Sequence, residues 1–120
     1  RVKDANKLID ESREKLEIKD VYGAELYYKI GEYKAAVVAF EQIIRKYPDS
    51  KKTDYYQYMI VKASYKYAGN SIPDKQQERY NRVTAEYADF LAKYPKSQYR
   101  SDVEKINSLS LQSLKKISKS

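Results

Sequence analysis

The sequence predicts an all-α fold, an α-solenoid of antiparallel helix hairpins with about six helices. Three observations predict it: an internal repeat, apolar residues recurring at helical spacing, and only three Gly and three Pro among 120 residues. Residues 33–50, YKAAVVAFEQIIRKYPDS, realign without gaps on residues 80–97, YNRVTAEYADFLAKYPKS, 47 positions later. The apolar set of the first copy is Tyr33, Ala36, Val37, Phe40, Ile43, Ile44 and Tyr47. That of the second is Tyr80, Val83, Tyr87, Phe90, Leu91 and Tyr94. Both trace one stripe down a helix and stop at Tyr-Pro-x-Ser. Proline disfavours helix in the residue before it, and the serine is a candidate cap for the helix that follows.

The remaining elements follow in chain order. Val2, Ala5, Ile9, Ser12 and Leu16 share one face of a helix over about 2–17. Val21, Ala24, Tyr27 and Tyr28 mark a second over 19–30, closed by a tight turn at Gly31-Glu32. Small Ala24 should interdigitate with Tyr27 and Phe40 across the hairpin. Helices over 33–46, 53–69 and 74–93 come next, the middle one striped by Tyr56, Ile60, Ala63 and Tyr67. The last, over 98–117, shows a weaker stripe of Val103, Ile106, Leu114 and Ile117 that suits a terminal cap. Matching Ala24 to Ala63 gives an offset of 39 against 47 for the second helices, so eight extra residues are expected near Gly69-Asn70-Ser71-Ile72-Pro73-Asp74. The expected organisation is one helical-repeat segment, 1–120, with units at about 19–50 and 53–97 between flanking helices 2–17 and 98–117. The abrupt start at Arg1, without Met or a signal-like stretch, is expected of a fragment of a longer chain.

Composition narrows function. With no Cys and no His, zinc sites, disulfides, thiol nucleophiles and the commonest general base are excluded. No apolar run approaches the roughly 20 residues that span a bilayer. The net charge of +7 is uneven: Lys105, Lys115, Lys116 and Lys119 follow the last acid, Glu104, which leaves +3 over residues 1–104 with signs interleaved. A basic helix end complements the helix dipole, so the charge reads as a solvated face and no nucleic-acid partner is expected. Carboxylates are scattered over charged faces, and nothing resembles a P-loop, a nucleophile elbow or an HExxH helix. The reading is therefore not an enzyme, with no cofactor and no metal.

Residues 24–48 resemble a tetratricopeptide repeat, with Ala24, Tyr27, Gly31, Tyr33, Ala36, Phe40 and Pro48 at the expected spacing. Ile43 replaces a usual small residue there, so looser packing is expected. LYYKIGEYKAAVVAFEQIIRKYPDS, then KASYKYAGNS, then KQQERYNRVTAEYADFLAKYPKS is similar to the BamD/YfiO family of outer-membrane assembly lipoproteins, in its C-terminal half. Asn70-Ser71 followed by Glu78-Arg79-Tyr80 is the most distinctive piece of the resemblance. The resemblance implies a protein-binding scaffold of β-barrel assembly, lipid-anchored at the periplasmic face of the outer membrane. It implies as partners the periplasmic domains of a BamA-type protein, other assembly-complex lipoproteins and unfolded outer-membrane proteins. The membrane would be reached only through an anchor upstream of this segment. The alternatives are another tetratricopeptide adaptor of the envelope, in division or secretion, and a basic lipoprotein that binds DNA or another anionic polymer.

A stacked helix array exposes a groove along the first helix of each hairpin. The groove candidates are Val21, Glu25, Tyr28 and Lys29 on one such helix and Tyr55, Tyr58 and Lys62 on the next. Val21 and Glu25 stand where carboxylate-clamping tetratricopeptide domains want Lys and Asn. That departure disfavours capture of chaperone tails and suits a folded domain or an extended, strand-like segment. Tyrosine supplies 14 residues, and the stripes account for Tyr27, Tyr33, Tyr47, Tyr80, Tyr87 and Tyr94 as core. Tyr55, Tyr56 and Tyr58 cannot share one side of a helix at 100° per residue, so at least one should be exposed. Lys75 and Arg79 are further candidates at the insertion, and Glu78 and Arg82 are placed for an i, i+4 pair.

Overall fold

The computed structural model describes residues 2–119, with side chains from residue 11 onward. The expected stripe residues Val2, Ala5 and Ile9 thus lie outside the described side chains. Among the described residues there are five helices: α1 (Val2–Lys29), α2 (Tyr33–Lys46), α3 (Thr53–Gly69), α4 (Pro73–Lys93) and α5 (Arg100–Ser118). Among the described residues there is no strand. The helices expected at 2–17 and 19–30 are one, because nothing between Leu16 and Val21 breaks a helix. Contacts to the second helix also bridge the junction. Arg13 donates to the Lys46 carbonyl at 2.7 Å, and Asp20 accepts from the Tyr47 hydroxyl at 2.8 Å.

Each turn has its own chemistry. α1 ends in a Schellman motif: the Glu32 N–H bonds the Tyr27 carbonyl and the Gly31 N–H bonds the Tyr28 carbonyl. Gly31 sits at φ +83°, where a Cβ would be strained. α4 instead begins at Pro73, preceded by extended Ile72. The two Tyr-Pro-x-Ser turns are built alike, but neither serine is a helix cap. Ser50 and Ser97 accept the N–H two residues on, from Lys52 and Tyr99, and those residues precede the helices. The serine hydroxyls donate the other way, Ser50 to Glu17 and Ser97 to Asp54 at 2.7 Å.

α3 packs between α2 and α4 and touches α5 as well. One core cluster joins Ala24, Phe40, Tyr47, Tyr56, Ile60 and Ala63; the other joins Val61, Ala68, Tyr80, Val83, Phe90 and Val103. Phe40 and Phe90, from the repeated stripe, are both fully buried. Burial on two sides explains why none of Tyr55, Tyr56 and Tyr58 is exposed, contrary to the periodicity argument. Tyr56 is fully enclosed and the other two are half-buried. Tyr27, expected in the core, is 44% exposed, and Tyr28 turns inward instead, edge-on to Tyr33 at 5.3 Å.

The two hairpins share corresponding contacts, and these matches correct the offset. Glu17 and Asp54 receive the serine hydroxyls, and Tyr28–Tyr33 and Tyr65–Tyr80 are the corresponding ring pairs. First helices are therefore 37 positions apart, not 39, and the difference from 47 is ten residues, not eight. These ten residues do not form a loop. They carry α3 one turn further, to Gly69, and make α4 21 residues against 14 for α2. Seven more residues lengthen a helix by about 10 Å, so the second hairpin has the longer tip.

Arg82 does not pair with Glu78. It reaches Glu41 on α2 at 3.7 Å and Glu86, one turn on, at 3.6 Å. Glu86 also accepts from Gln57 Nε2 at 3.0 Å, and burial raises its pKa above the ordinary glutamate range. A raised folded-state pKa means the folded chain binds more protons than the unfolded one across that window, so this group's contribution to stability falls as pH rises through it. Glu86→Gln removes the dependence. In urea titrations, the variant's stability relative to the natural chain is expected to increase from pH 4 towards pH 7; a decrease over that range would contradict the assignment.

Candidate partner-binding groove

α1, the turn between α2 and α3, the start of α3 and the two residues just before α5 enclose an open groove of about 1100 Å³. Its walls include Val21 and Glu25 from α1, Tyr55 from α3, and Tyr99, the residue before α5. Why tyrosines line it is a matter of hydrogen bonding. A buried phenol needs a partner for its hydroxyl, and α1 supplies carboxylates for three of them. Glu17 accepts from Tyr56, Asp20 from Tyr47 and Glu25 from Tyr55. α5 supplies a fourth, Asp102, to Tyr58 at 3.4 Å.

The electrostatics follow from these pairs. Burial, reinforced by the neighbouring carboxylate, pushes the Tyr55 and Tyr56 phenols far above their ordinary value, and Tyr58 moves in the same direction. Each phenol is therefore a fixed donor at any physiological pH. The Tyr47 hydrogen bond, aided by Lys46 at 3.2 Å, holds Asp20 below the usual carboxylate value. With hydroxyls engaged beneath, the rings offer their faces and edges. Tyr58 stacks on Tyr99 with centroids 4.7 Å apart and planes 10° from parallel, and Tyr55 leans on both. The Lys62 ammonium lies over Tyr28 at 5.3 Å and over Tyr58 at 5.7 Å.

The sequence candidates divide accordingly. Glu25, Tyr28, Tyr55, Tyr58 and Lys62 join one contact network across α1 and α3. Val21 packs beneath it, against the first core cluster. Lys29 is exposed at the end of α1, away from this network. Lys75 is exposed on the long hairpin tip. Arg79 is at that tip too, stacked on Tyr67 at 4.3 Å and donating to Ser71 Oγ at 2.6 Å. The tip and the groove are separate places. Periodicity did not single out Glu17, Asp20, Tyr99 or Asp102. The usable signal was the repeated Tyr-Pro-x-Ser, whose serine has an acid at the matching position of each hairpin, Glu17 and Asp54.

Removing one hydroxyl tests the phenol–carboxylate frame. Tyr56→Phe keeps the ring and deprives Glu17 of a donor, so urea unfolding should show a loss of about 1.5–3 kcal/mol, as for a hydrogen bond to a charged group. A variant as stable as the natural chain would show that the pair is not part of the frame.

Two comparisons bear on identity. The family model for YfiO, described as an outer membrane lipoprotein, matches residues 4–115. Among the curated proteins no match is found.

Proposed function

We propose that this chain, which belongs to the YfiO family of outer membrane lipoproteins, is a non-catalytic scaffold of a β-barrel assembly machinery that binds a BamA-type periplasmic domain. The observation that carries the reading is the tyrosine-lined groove between α1, the start of α3 and the residues just before α5. Aromatic rings with engaged hydroxyls present stiff apolar surface with little conformational entropy left to lose, which is what protein interfaces favour. The groove is open and long, with charge at its edges, and it fits a strand-like segment or the edge of a folded domain better than a small ligand. Anchorage at the periplasmic face would come from a lipidated residue outside this segment. Other assembly-complex lipoproteins and unfolded outer-membrane proteins are further partners on this reading.

Lys62 is the group to alter, because it touches rings from both α1 and α3 without supporting the core. Lys62→Glu and, separately, Glu25→Lys in the groove wall are expected to weaken capture of a BamA-type periplasmic domain in pull-downs, with helicity by circular dichroism unchanged. Undiminished capture by both variants would remove the groove as the contact surface.

We also propose that the array continues ahead of α1, as one segment of a longer solenoid with units at about 19–50 and 53–97. The correspondence between the two hairpins supports this. Met59, Ile60 and Ala63 are the buried face that α3 turns to α2. Their equivalents on α1 are Tyr22, Gly23 and Leu26, and Tyr22 and Leu26 are 71% and 57% exposed. A helix of the α2 type, from a preceding repeat of the same polypeptide, would cover this face. Leu26→Asp should then lower the urea midpoint of the longer polypeptide while leaving residues 1–120 alone nearly unaffected. Equal effects on both would count against the extra helix.

A further inference from the structure

Next to the groove lies a smaller cleft of about 300 Å³, where the second Tyr-Pro-x-Ser turn meets the start of α3. Lys51, Lys93 and Lys96 surround it, with Tyr94 and Pro95 as an apolar wall. Among the described residues none of the three lysines has an ion-pair partner; the salt bridges there belong to Lys46, Arg82 and Arg100. The one carboxylate in the cleft, Asp54, is engaged by Ser97 Oγ and by the Tyr55 N–H at 2.8 Å.

The first hairpin shows what the same place looks like without that bias. The positions matching Lys51 and Lys96 are Glu14 and Asp49, both acids. Lys46 matches Lys93, but it has Asp20 at 3.2 Å, whereas the residue matching Asp20 is the neutral Gln57. Between one repeat and the next, three carboxylates have become two lysines and an amide. The Tyr-Pro-x-Ser turns are built alike, so their architecture does not demand Lys93 or Lys96, while Lys51 lies in the turn before α3 and Glu14 inside α1.

Lys51 and Asp54 line the cleft and the groove alike, so the two are continuous. Along that continuous surface the balance of charge shifts: Glu14, Glu17 and Glu25 outnumber Arg13 on the α1 side, Asp49 and Lys52 lie between, and Lys51, Lys93 and Lys96 ring the far end. We propose that this gradient fixes the direction in which a bound protein segment lies, with an acidic stretch of the partner docked among Lys51, Lys93 and Lys96. The inference rests on the groove being the partner-binding surface, and it adds the specificity determinant. Lysine ammonium groups on flexible stems suit a cluster of Asp and Glu side chains, which they pair with as point charges. The Tyr94 and Pro95 wall excludes water from one side of those pairs and strengthens them.

The test uses two labelled dodecapeptides, each with eight alternating Val and Thr residues, preceded by four Glu in one and four Lys in the other. Fluorescence anisotropy with the natural chain in low salt should show the glutamate peptide binding about tenfold more tightly, with the preference shrinking as salt is added. Lys51→Glu combined with Lys93→Glu and Lys96→Glu, all exposed positions, should abolish or invert that preference with circular dichroism unchanged. Tyr99→Ala, which alters the groove wall without changing its charge, should weaken both peptides alike. If Tyr99→Ala acts on both while the triple variant leaves the preference intact, the groove stands and the cleft proposal falls. If neither peptide binds, both fall together. Inorganic phosphate serves as the competing probe. If it binds in the cleft with the same lysine dependence and displaces the glutamate peptide at equal concentration, the cleft is a small-anion site and the proposal is overturned.

Discussion

A tyrosine can enter a protein interior only if its hydroxyl finds an acceptor there, and the shape of this chain follows from meeting that requirement repeatedly. α3 has a helix on either side, so its aromatic residues are buried or half-buried. Tyr55, Tyr56 and Tyr58 therefore aim their hydroxyls at carboxylates of neighbouring elements: Glu25 and Glu17 on α1, and Asp102 on α5. Those bonds set the lateral position of α1 and α5 against α3, which helix packing alone fixes only loosely. They also flank the stretch of α1 where the sequence suggested two helices. Hydroxyl, carboxylate and helix axis are one constraint.

The repeat is regular in its turns and irregular in its lengths. Ser50 and Ser97 hold the same bonds in both hairpins, and Phe40 and Phe90 are both fully buried. Yet the second hairpin is longer by ten residues, distributed over both helix ends and closed by Ile72-Pro73 instead of a left-handed glycine. Helices lengthen in a hairpin without disturbing the packed part as long as both partners grow together. The longer tip then needs its own support, and Arg79 provides it by stacking on Tyr67 while bonding Ser71.

Much of this was legible in the residues. The stripes of α2 and α4, the turn at Gly31 and the proline at the start of α4 are written in short-range spacing, and the structure has them where spacing puts them. What spacing could not give was environment. Whether Tyr27 or Tyr28 faces inward depends on the crossing of α1 over α2, and the two are only 100° apart on the helix. The exposure expected within Tyr55, Tyr56 and Tyr58 assumed a helix with one buried side, whereas α3 has two. The offset of 39 came from matching two alanines, Ala24 and Ala63, that share one core cluster, whereas the position equivalent to Ala24 is Val61, in the other. The groove candidates on α1 and α3 are adjacent in space, but their tie to α5 through Tyr99 and Asp102 involves a helix whose own stripe is weak. Long-range polar pairs leave no periodic trace in a sequence.

A surface built this way has a consequence for binding. Aromatic residues that are loose in the free protein must lose rotamer freedom on contact, and that loss subtracts from affinity at about 0.5–1.5 kcal/mol per side chain. Here Tyr55 and Tyr58 are held at the ring by Tyr99 and at the hydroxyl by carboxylates, so their ordering is already complete before any partner arrives. The same interactions that let α3 tolerate three tyrosines in four residues thus leave the groove preorganised. Stability and recognition draw on the same bonds in this chain: Glu25 holds Tyr55 at the groove wall, and Glu17 holds Tyr56 inside the first core cluster.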